Sequence, residues 1–120
     1  MKLPLLLLSA ALSSLAFADD SLAGKWQVQS NIAGNENSQT CTWTQKDADL
    51  SGTCTSEKGT VNITGTIDGK TVKWSYKSDY NGSPLTVNYE GKLESETKIT
   101  GTVTVPEFSA DGDFTATQVK

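Results

Sequence analysis

Apolar and polar residues alternate through most of the chain after position 23, and no sustained helical period interrupts them. A period of two is typical of strands that bury one face. Threonine, a β-branched residue that favours strands, occurs sixteen times. Turn-forming residues recur at intervals of about a dozen residues, as in a series of hairpins. The pattern predicts eight strands, at roughly 24–33, 38–46, 49–57, 60–67, 70–78, 85–94, 98–105 and 112–119.

Eight consecutive strands joined by turns predict an all-β fold, a single eight-stranded antiparallel up-and-down β-barrel. A sandwich of two sheets is the alternative. The predicted inward residues are Trp26, Val28, Leu85, Val87, Tyr89, Leu93, Ile99, Val103, Val105, Phe114 and Ala116. Four glycines that would allow sharp bending share this phase, namely Gly52, Gly65, Gly91 and Gly101. A barrel of this size is either filled by side chains or holds one small ligand, and the sequence leaves both open.

The hairpin around Asp47-Ala48 predicts a disulfide. A two-residue turn there pairs Trp43 with Gly52, so that the indole covers the bare glycine backbone, and pairs Cys41 with Cys54. The two cysteines then occupy a non-hydrogen-bonded position, where the Cα atoms of opposite strands approach most closely. We therefore predict a cross-strand Cys41–Cys54 bond.

The dipeptide Asp68-Gly69 is the strongest hairpin signal in the chain. A type I′ turn at these two residues would close Ile67 against Lys70. It would then place Ile63 opposite Trp74. Apolar residues would face one another throughout this hairpin.

The first eighteen residues are typical of a secretory signal peptide. Lys2 precedes a long apolar run, and Ala16-Phe17-Ala18 forms a small-x-small cleavage site before Asp19. A transmembrane helix is the alternative, but the apolar run is short for a span. We expect residues 1–18 to be removed and residues 19–120 to form one secreted or periplasmic β-barrel domain, with no membrane insertion after cleavage. Two cysteines suit such an oxidising compartment.

The charged residues exclude several function classes. The chain has no histidine and no arginine, and without Lys2 it carries nine lysines against fourteen acidic residues. Nucleic acid is therefore not an expected partner, because no cations cluster to contact phosphates. Histidine is also the most common general base at neutral pH. We predict no enzyme activity, no catalytic residue, no cofactor and no metal.

The connections at one end of the predicted barrel are expected to be longer than those at the other. These are 31–38, 57–60, 77–84 and 106–113, against 46–49, 67–70 and 94–97. Longer loops favour that end as the mouth for a ligand. The candidate ligand-binding residues are Ser30, Ser56, Trp74, Tyr76, Tyr80 and Asn81. Gln39 lies near them, and the alternative for Ser30, Gln39 and Ser56 is that they cap strand ends.

Three stretches resemble calycin barrels and, within them, avidin-like proteins. Ser21–Trp26 is similar to the opening strand of calycins, whose Gly-x-Trp packs its indole across the barrel floor. Leu50–Cys54 followed by Ser56 resembles the third avidin-like strand, and Thr71–Trp74 resembles the fifth. The resemblance implies a small secreted barrel with an interior ligand site.

The biotin site of the avidin-like family is not retained. Ser56 and Trp74 match ligand-contacting positions of the family. However, Cys54 stands where that pattern has tyrosine, and Val28 and Ile32 replace an asparagine and a serine. Two matching positions cannot supply the hydrogen bonds that a buried ureido group needs.

The chain also resembles bacterial periplasmic inhibitors of secreted metalloproteases. These are small barrels with a Gly-x-Trp start and one early disulfide, and they insert an N-terminal segment into the protease cleft. Here 19–23 would be that segment. Two functions are therefore expected: binding of a small, partly apolar ligand at the open rim, or alternatively binding of a protein partner, such as inhibition of a protease.

Overall fold

A computed structural model describes residues 22–119, and the predicted signal peptide lies outside them. Within this range the strands are β1 (Gly24–Ile32), β2 (Asn35–Lys46), β3 (Asp49–Ser56), β4 (Gly59–Asp68), β5 (Thr71–Tyr80), β6 (Ser83–Ser95), β7 (Lys98–Val105) and β8 (Ala110–Val119). A single turn of 3₁₀ helix, Pro106–Phe108, connects β7 to β8. No helix in the described part of the chain is long and apolar enough to cross a membrane.

The strands form a closed barrel. Each pairs antiparallel with its neighbours in sequence, and β1 also pairs with β8. The predicted up-and-down barrel is confirmed, and the sandwich alternative is wrong. Alternate residues of each strand face inward, so that in β1 Trp26, Val28 and Ser30 are buried between more accessible neighbours. The hydrophobic pattern therefore specified the faces of the sheet.

The predicted disulfide joins Cys41 to Cys54. The pairing of β2 with β3 follows the predicted register, with Trp43 opposite Gly52 and Lys46 opposite Asp49. Asp47 begins the two-residue turn with a positive φ of 57°. A bridge across so short a loop contributes about 3 kcal/mol to stability in the chain-entropy account.

The register predicted for β4 and β5 was wrong by one residue on each strand. The closing pair is Asp68 with Thr71, and Gly65 lies opposite Trp74. The turn is Gly69-Lys70, in which Gly69 has a φ of 62° at the first loop position, as in a type II′ turn. The combined shift is even, so each side chain keeps its predicted face.

The observed register places tryptophans beside inward-phase glycines. A Cβ on Gly65 would lie 2.0 Å from the Lys73 carbonyl oxygen, and one on Gly52 would lie 2.0 Å from that of Thr42. Only glycine allows these backbones to approach so closely. This close approach explains why Trp74 lies opposite Gly65, where the type I′ register would have placed Ile63.

Aromatic side chains fill the middle of the barrel. Ring centroids are 5.2 Å apart for Trp26 and Trp43, 4.8 Å for Trp43 and Trp74, and 4.8 Å for Trp74 and Tyr89. Phe114 meets Trp74 and Tyr89 edge to face. We call these five residues the aromatic layer. All the predicted inward residues are buried except Leu85 and Leu93, which are partly buried against the same core.

The loop lengths differ from those expected. The end of the barrel that carries the β1–β2, β3–β4, β5–β6 and β7–β8 connections is called the upper end, and the opposite end the lower end. Three upper connections are only two residues long, namely 33–34, 57–58 and 81–82. Ala33 and Asn81 adopt positive φ and are each followed by a positive-φ glycine, which allows tight type I′ turns. The prediction of long upper loops was wrong, because the strands continue to these turns.

Candidate functional site

A cavity of about 650 Å³ lies at the upper end. Hydrophobic side chains from six strands and the 3₁₀ segment line it, namely Ile32, Val61, Tyr76, Leu85, Val87, Val105, Phe108 and Ala110. Polar side chains also contribute, including Gln39, Ser56, Lys58 and Lys77. The lining therefore combines an apolar wall with a small number of polar groups, as small-molecule sites commonly do.

The strand pairing around this cavity is incomplete between β4 and β5. Backbone pairing of these strands ends at Thr64 and Ser75. Among the described residues, the upper parts of the two strands, 59–63 and 76–80, are not paired with each other. The barrel therefore lacks backbone hydrogen bonds between these two strands beside the cavity.

A second divergence, between β6 and β7, is bridged by a side chain. Pairing ends at Asn88 and Thr104, and Glu107 of the 3₁₀ turn then accepts hydrogen bonds from the Thr86 backbone N–H and hydroxyl, both at 2.9 Å. These bonds lower the pKa of Glu107 from its usual value, and the bond from the Thr86 backbone N–H has the largest effect. The carboxylate thus links β6 to the segment after β7 where strand pairing has ended.

Buried polar side chains form the base of the upper cavity. Ser30 and Gln39 are each only 6% exposed. The Gln39 amide nitrogen donates to the Tyr76 hydroxyl at 3.4 Å, and the Tyr89 hydroxyl donates to the Gln39 amide oxygen at 3.5 Å. We call Ser30, Gln39, Tyr76 and Tyr89 the polar floor. Gln39 and Tyr76 line the cavity, whereas Ser30 and Tyr89 are buried beside them and do not line it.

Burial keeps the two tyrosines of the floor neutral. Desolvation raises the pKa of both Tyr76 and Tyr89 above the usual value for a phenol. The nearest charged groups in the cavity lining, Lys58, Lys77 and Asp79, are exposed at the rim. The floor therefore offers uncharged hydrogen-bonding groups.

Four of the six residues proposed from the sequence lie at this cavity or its floor. Ser56, Tyr76 and Tyr80 line the cavity, and Ser30 belongs to the floor. Tyr80 is 60% exposed and meets Phe108 edge to face at the rim. Ser56 also accepts a hydrogen bond from the Lys58 backbone N–H, which is the strand-end role considered as its alternative.

The other two lie elsewhere. Trp74 is only 2% exposed within the aromatic layer, and it does not line the upper cavity. Asn81 is an exposed residue of the β5–β6 turn. The structure thus separates these residues from the site that the other four share.

Sequence reasoning left out Gln39 as a site residue. Its position is two residues before Cys41 and four before Trp43, in the same inward phase of β2. A polar residue in an inward position was the signal that could have identified it, since a buried amide requires hydrogen-bond partners. Those partners lie on β5 and β6, far away in sequence.

The lower end has a cavity of its own, of about 610 Å³. Leu22, Ile67 and Leu93 supply its apolar lining, and Asp47 and Glu96 are among its acidic residues. The sequence predicted a mouth only at the upper end.

The segment before β1 is anchored at this lower end. Leu22 is 2% exposed, its backbone N–H donates to the Gln45 side-chain oxygen at 2.8 Å, and its carbonyl accepts from the Trp26 indole at 2.9 Å. Leu22 was part of the N-terminal segment expected to reach a protease. In this structure it packs into the barrel instead.

The chain matches no protein-family model and no curated protein sequence. Among solved structures it is similar to a redesigned β-barrel, b11L5F_LGL, with a TM-score of 0.64 and 17% identity over 82% of this chain and 92% of that one. It is also similar to the redesigned β-barrels mFAP1 and mFAP0, each bound to DFHBI. The TM-scores are 0.59 and 0.58 at 17% identity, covering 82% and 81% of this chain and 94% and 98% of those chains. These similarities establish the fold.

Proposed function

We propose that this protein is an exported, non-enzymatic binding module that holds a small, partly apolar molecule in its upper cavity. The observation that carries the proposal is a cavity of about 650 Å³ with an apolar wall and a polar floor. Its volume falls in the usual range for small-molecule sites. The Cys41–Cys54 bond and the predicted signal peptide support export.

The likeness to solved barrels supports the same proposal. Two of them, mFAP1 and mFAP0, are bound to DFHBI. A barrel of this architecture is therefore compatible with ligand binding. The unpaired upper parts of β4 and β5 would let a ligand reach the cavity without breaking a strand pair.

The chemistry of the site favours binding over catalysis. Burial raises the pKa of Tyr76 and Tyr89 further above the usual value for a phenol, so neither supplies a phenolate near neutral pH. Both cysteines are held in the disulfide, so neither supplies a thiolate nucleophile. What the floor offers a ligand is hydrogen bonding and apolar contact.

A pair of cavity-filling variants tests the proposal. The probe is 8-anilinonaphthalene-1-sulfonate, whose emission rises in apolar surroundings, with direct titration calorimetry as a second measurement. Leu85→Trp would fill the upper cavity, and Ile67→Trp would fill the lower one as the matched control, since both native side chains are half-buried lining residues. We expect Leu85→Trp to weaken binding at least tenfold and Ile67→Trp to leave it unchanged. No binding to the native protein, or loss only in Ile67→Trp, would overturn the proposal.

A further inference from the structure

We propose that the polar floor selects ligands carrying a neutral amide, such as a lactam, in which a donor N–H lies beside an acceptor carbonyl. The inference rests on the proposed function and names the chemical class of ligand. Gln39 would pair with the amide through both of its own polar atoms, and the Tyr76 hydroxyl would donate to the carbonyl. The apolar part of the ligand would contact the wall above.

The bonding of Gln39 is incomplete. A primary amide has two donor hydrogens and two acceptor lone pairs. Its two contacts within the described residues, at 3.4 and 3.5 Å, lie beyond the usual range of about 2.7–3.2 Å. A buried amide with weak partners carries an uncompensated desolvation cost. A ligand that supplies both a donor and an acceptor would recover that cost.

Gln39 and Tyr76 present their groups to the same space. Both line the upper cavity. The Tyr76 oxygen accepts from Gln39, and in none of the hydrogen bonds among residues 22–119 does its own proton serve as the donor. A carbonyl placed at the floor could therefore accept from Gln39 and from Tyr76. The adjacent ligand N–H would donate to the Gln39 oxygen.

The surroundings favour a neutral group over an ion. No lysine, aspartate or glutamate belongs to the floor, and the charged residues of the lining lie at the exposed rim. Burying a carboxylate or an ammonium group there without a partner would cost several kcal/mol. The desolvation cost of an uncharged amide is far smaller, and Gln39 and Tyr76 offer it complementary hydrogen-bonding groups.

Three compounds with one bicyclic skeleton test the inference. Oxindole carries the lactam, 2-indanone carries only the carbonyl, and indane carries neither. Binding is measured by NMR, following the backbone amide signals of the residues that line the upper cavity, which are present in the native protein and in every variant. We expect oxindole to bind about tenfold more tightly than indane, with 2-indanone between them, as one or two added hydrogen bonds would give.

Substitutions at the floor should remove this preference. Gln39→Leu should make oxindole bind no better than 2-indanone, because the ligand N–H loses its acceptor while the Tyr76 hydroxyl still donates to both carbonyls. Tyr76→Phe should lower only the affinities of oxindole and 2-indanone. Tyr76→Phe keeps the ring, so it remains informative if Gln39→Leu fails to fold. Leu85→Trp is the control and should weaken binding of all three compounds.

The outcomes separate this inference from the proposed function. If the three compounds bind equally to the native protein and Leu85→Trp weakens them all, amide selection is wrong and the upper cavity remains the binding site. If none of the three binds, or if Leu85→Trp has no effect on them, both the inference and the proposed function are wrong.

Discussion

The two ends of this barrel hold cavities of nearly equal volume, about 650 and 610 Å³, yet they differ in what borders them. The upper cavity is lined by buried Gln39 and half-buried Tyr76, and the two strands β4 and β5 are unpaired beside it. Leu22 borders the lower cavity. Its backbone N–H donates to the Gln45 side chain and its carbonyl accepts from the Trp26 indole. Volume alone therefore does not identify a binding site. The polar side chains that line a cavity and the strand pairing around it distinguish the two ends.

The upper end itself contains a similar contrast. Two strand pairs diverge there, but only one divergence is bridged, by the carboxylate of Glu107. The other, between β4 and β5, has no backbone pairing among the described residues. One acidic side chain thus distinguishes the two divergences.

Truncating a side chain of the aromatic layer, which lies between the two ends of the barrel, should reduce stability most. Trp74→Ala would leave a void in the aromatic layer, because the indole is 2% exposed and contacts three other rings. We expect the free energy of unfolding to fall by about 3–5 kcal/mol, measured by urea denaturation. Tyr80→Ala, at the exposed rim, is the control and should change it by about 0.5 kcal/mol or less. Equal losses from both variants would contradict the role given to the layer.

Reducing the disulfide should have the second-largest effect on stability, because the bridge joins β2 to β3 in the middle of the barrel. Reduction of Cys41–Cys54 should lower stability by about 3 kcal/mol, seen as a lower Tm. A Cys41→Ala/Cys54→Ala double variant provides the control, since its Tm should not respond to reductant. An unchanged Tm of the reduced native protein would show that the bridge adds no stability.

Loosening the lower end should cost less. Leu22→Ala would remove a buried side chain and reduce the free energy of unfolding by about 2 kcal/mol. The upper cavity should keep its affinity for 8-anilinonaphthalene-1-sulfonate, because the aromatic layer separates the two ends. Leu85→Ala is the upper counterpart, and since Leu85 is only partly buried its loss of stability should be smaller. A larger loss of stability from Leu85→Ala than from Leu22→Ala would contradict the packing role assigned to Leu22.

The smallest expected effect is local and depends on pH. The pKa of Glu107 is lower in the folded state, so its contribution is fully present above the unfolded value of about 4.5 and is lost as pH falls through the folded pKa. Below that point the protection factor of the Thr86 amide, which is the intrinsic exchange rate at each pH divided by the measured rate, should fall. Amide exchange measured by NMR from pH 6 to 3 tests this. Glu107→Gln keeps an acceptor but cannot titrate, so the fall in protection should disappear; its persistence would exclude Glu107 as the cause.

Local patterns allowed much of the fold to be predicted. The Cys41–Cys54 pairing followed from a two-residue turn and the alternation of faces, both of which depend on near neighbours in sequence. The register of β4 and β5 was missed because its combined shift was even and left the hydrophobic pattern unchanged. The tight turn at Ala33 was missed because alanine seldom adopts positive φ.

The candidate site was only partly predictable. Ser30, Ser56, Tyr76 and Tyr80 were identified from their positions near strand ends. Gln39 was not, because its bonds reach Tyr76 and Tyr89, residues that are 37 and 50 positions away. The placement of Trp74 in the core depended in turn on its neighbours in the aromatic layer.

By itself the sequence determined which segments are strands, which side chains point inward and which cysteines meet, because a period of two and short hairpins act over a few residues. Only the tertiary structure decided where the strands separate, which end has a polar floor and at which end Leu22 is buried. Those features arise when distant strands close into one barrel, since the curvature of the sheet and the sizes of the central rings together set the spaces that remain.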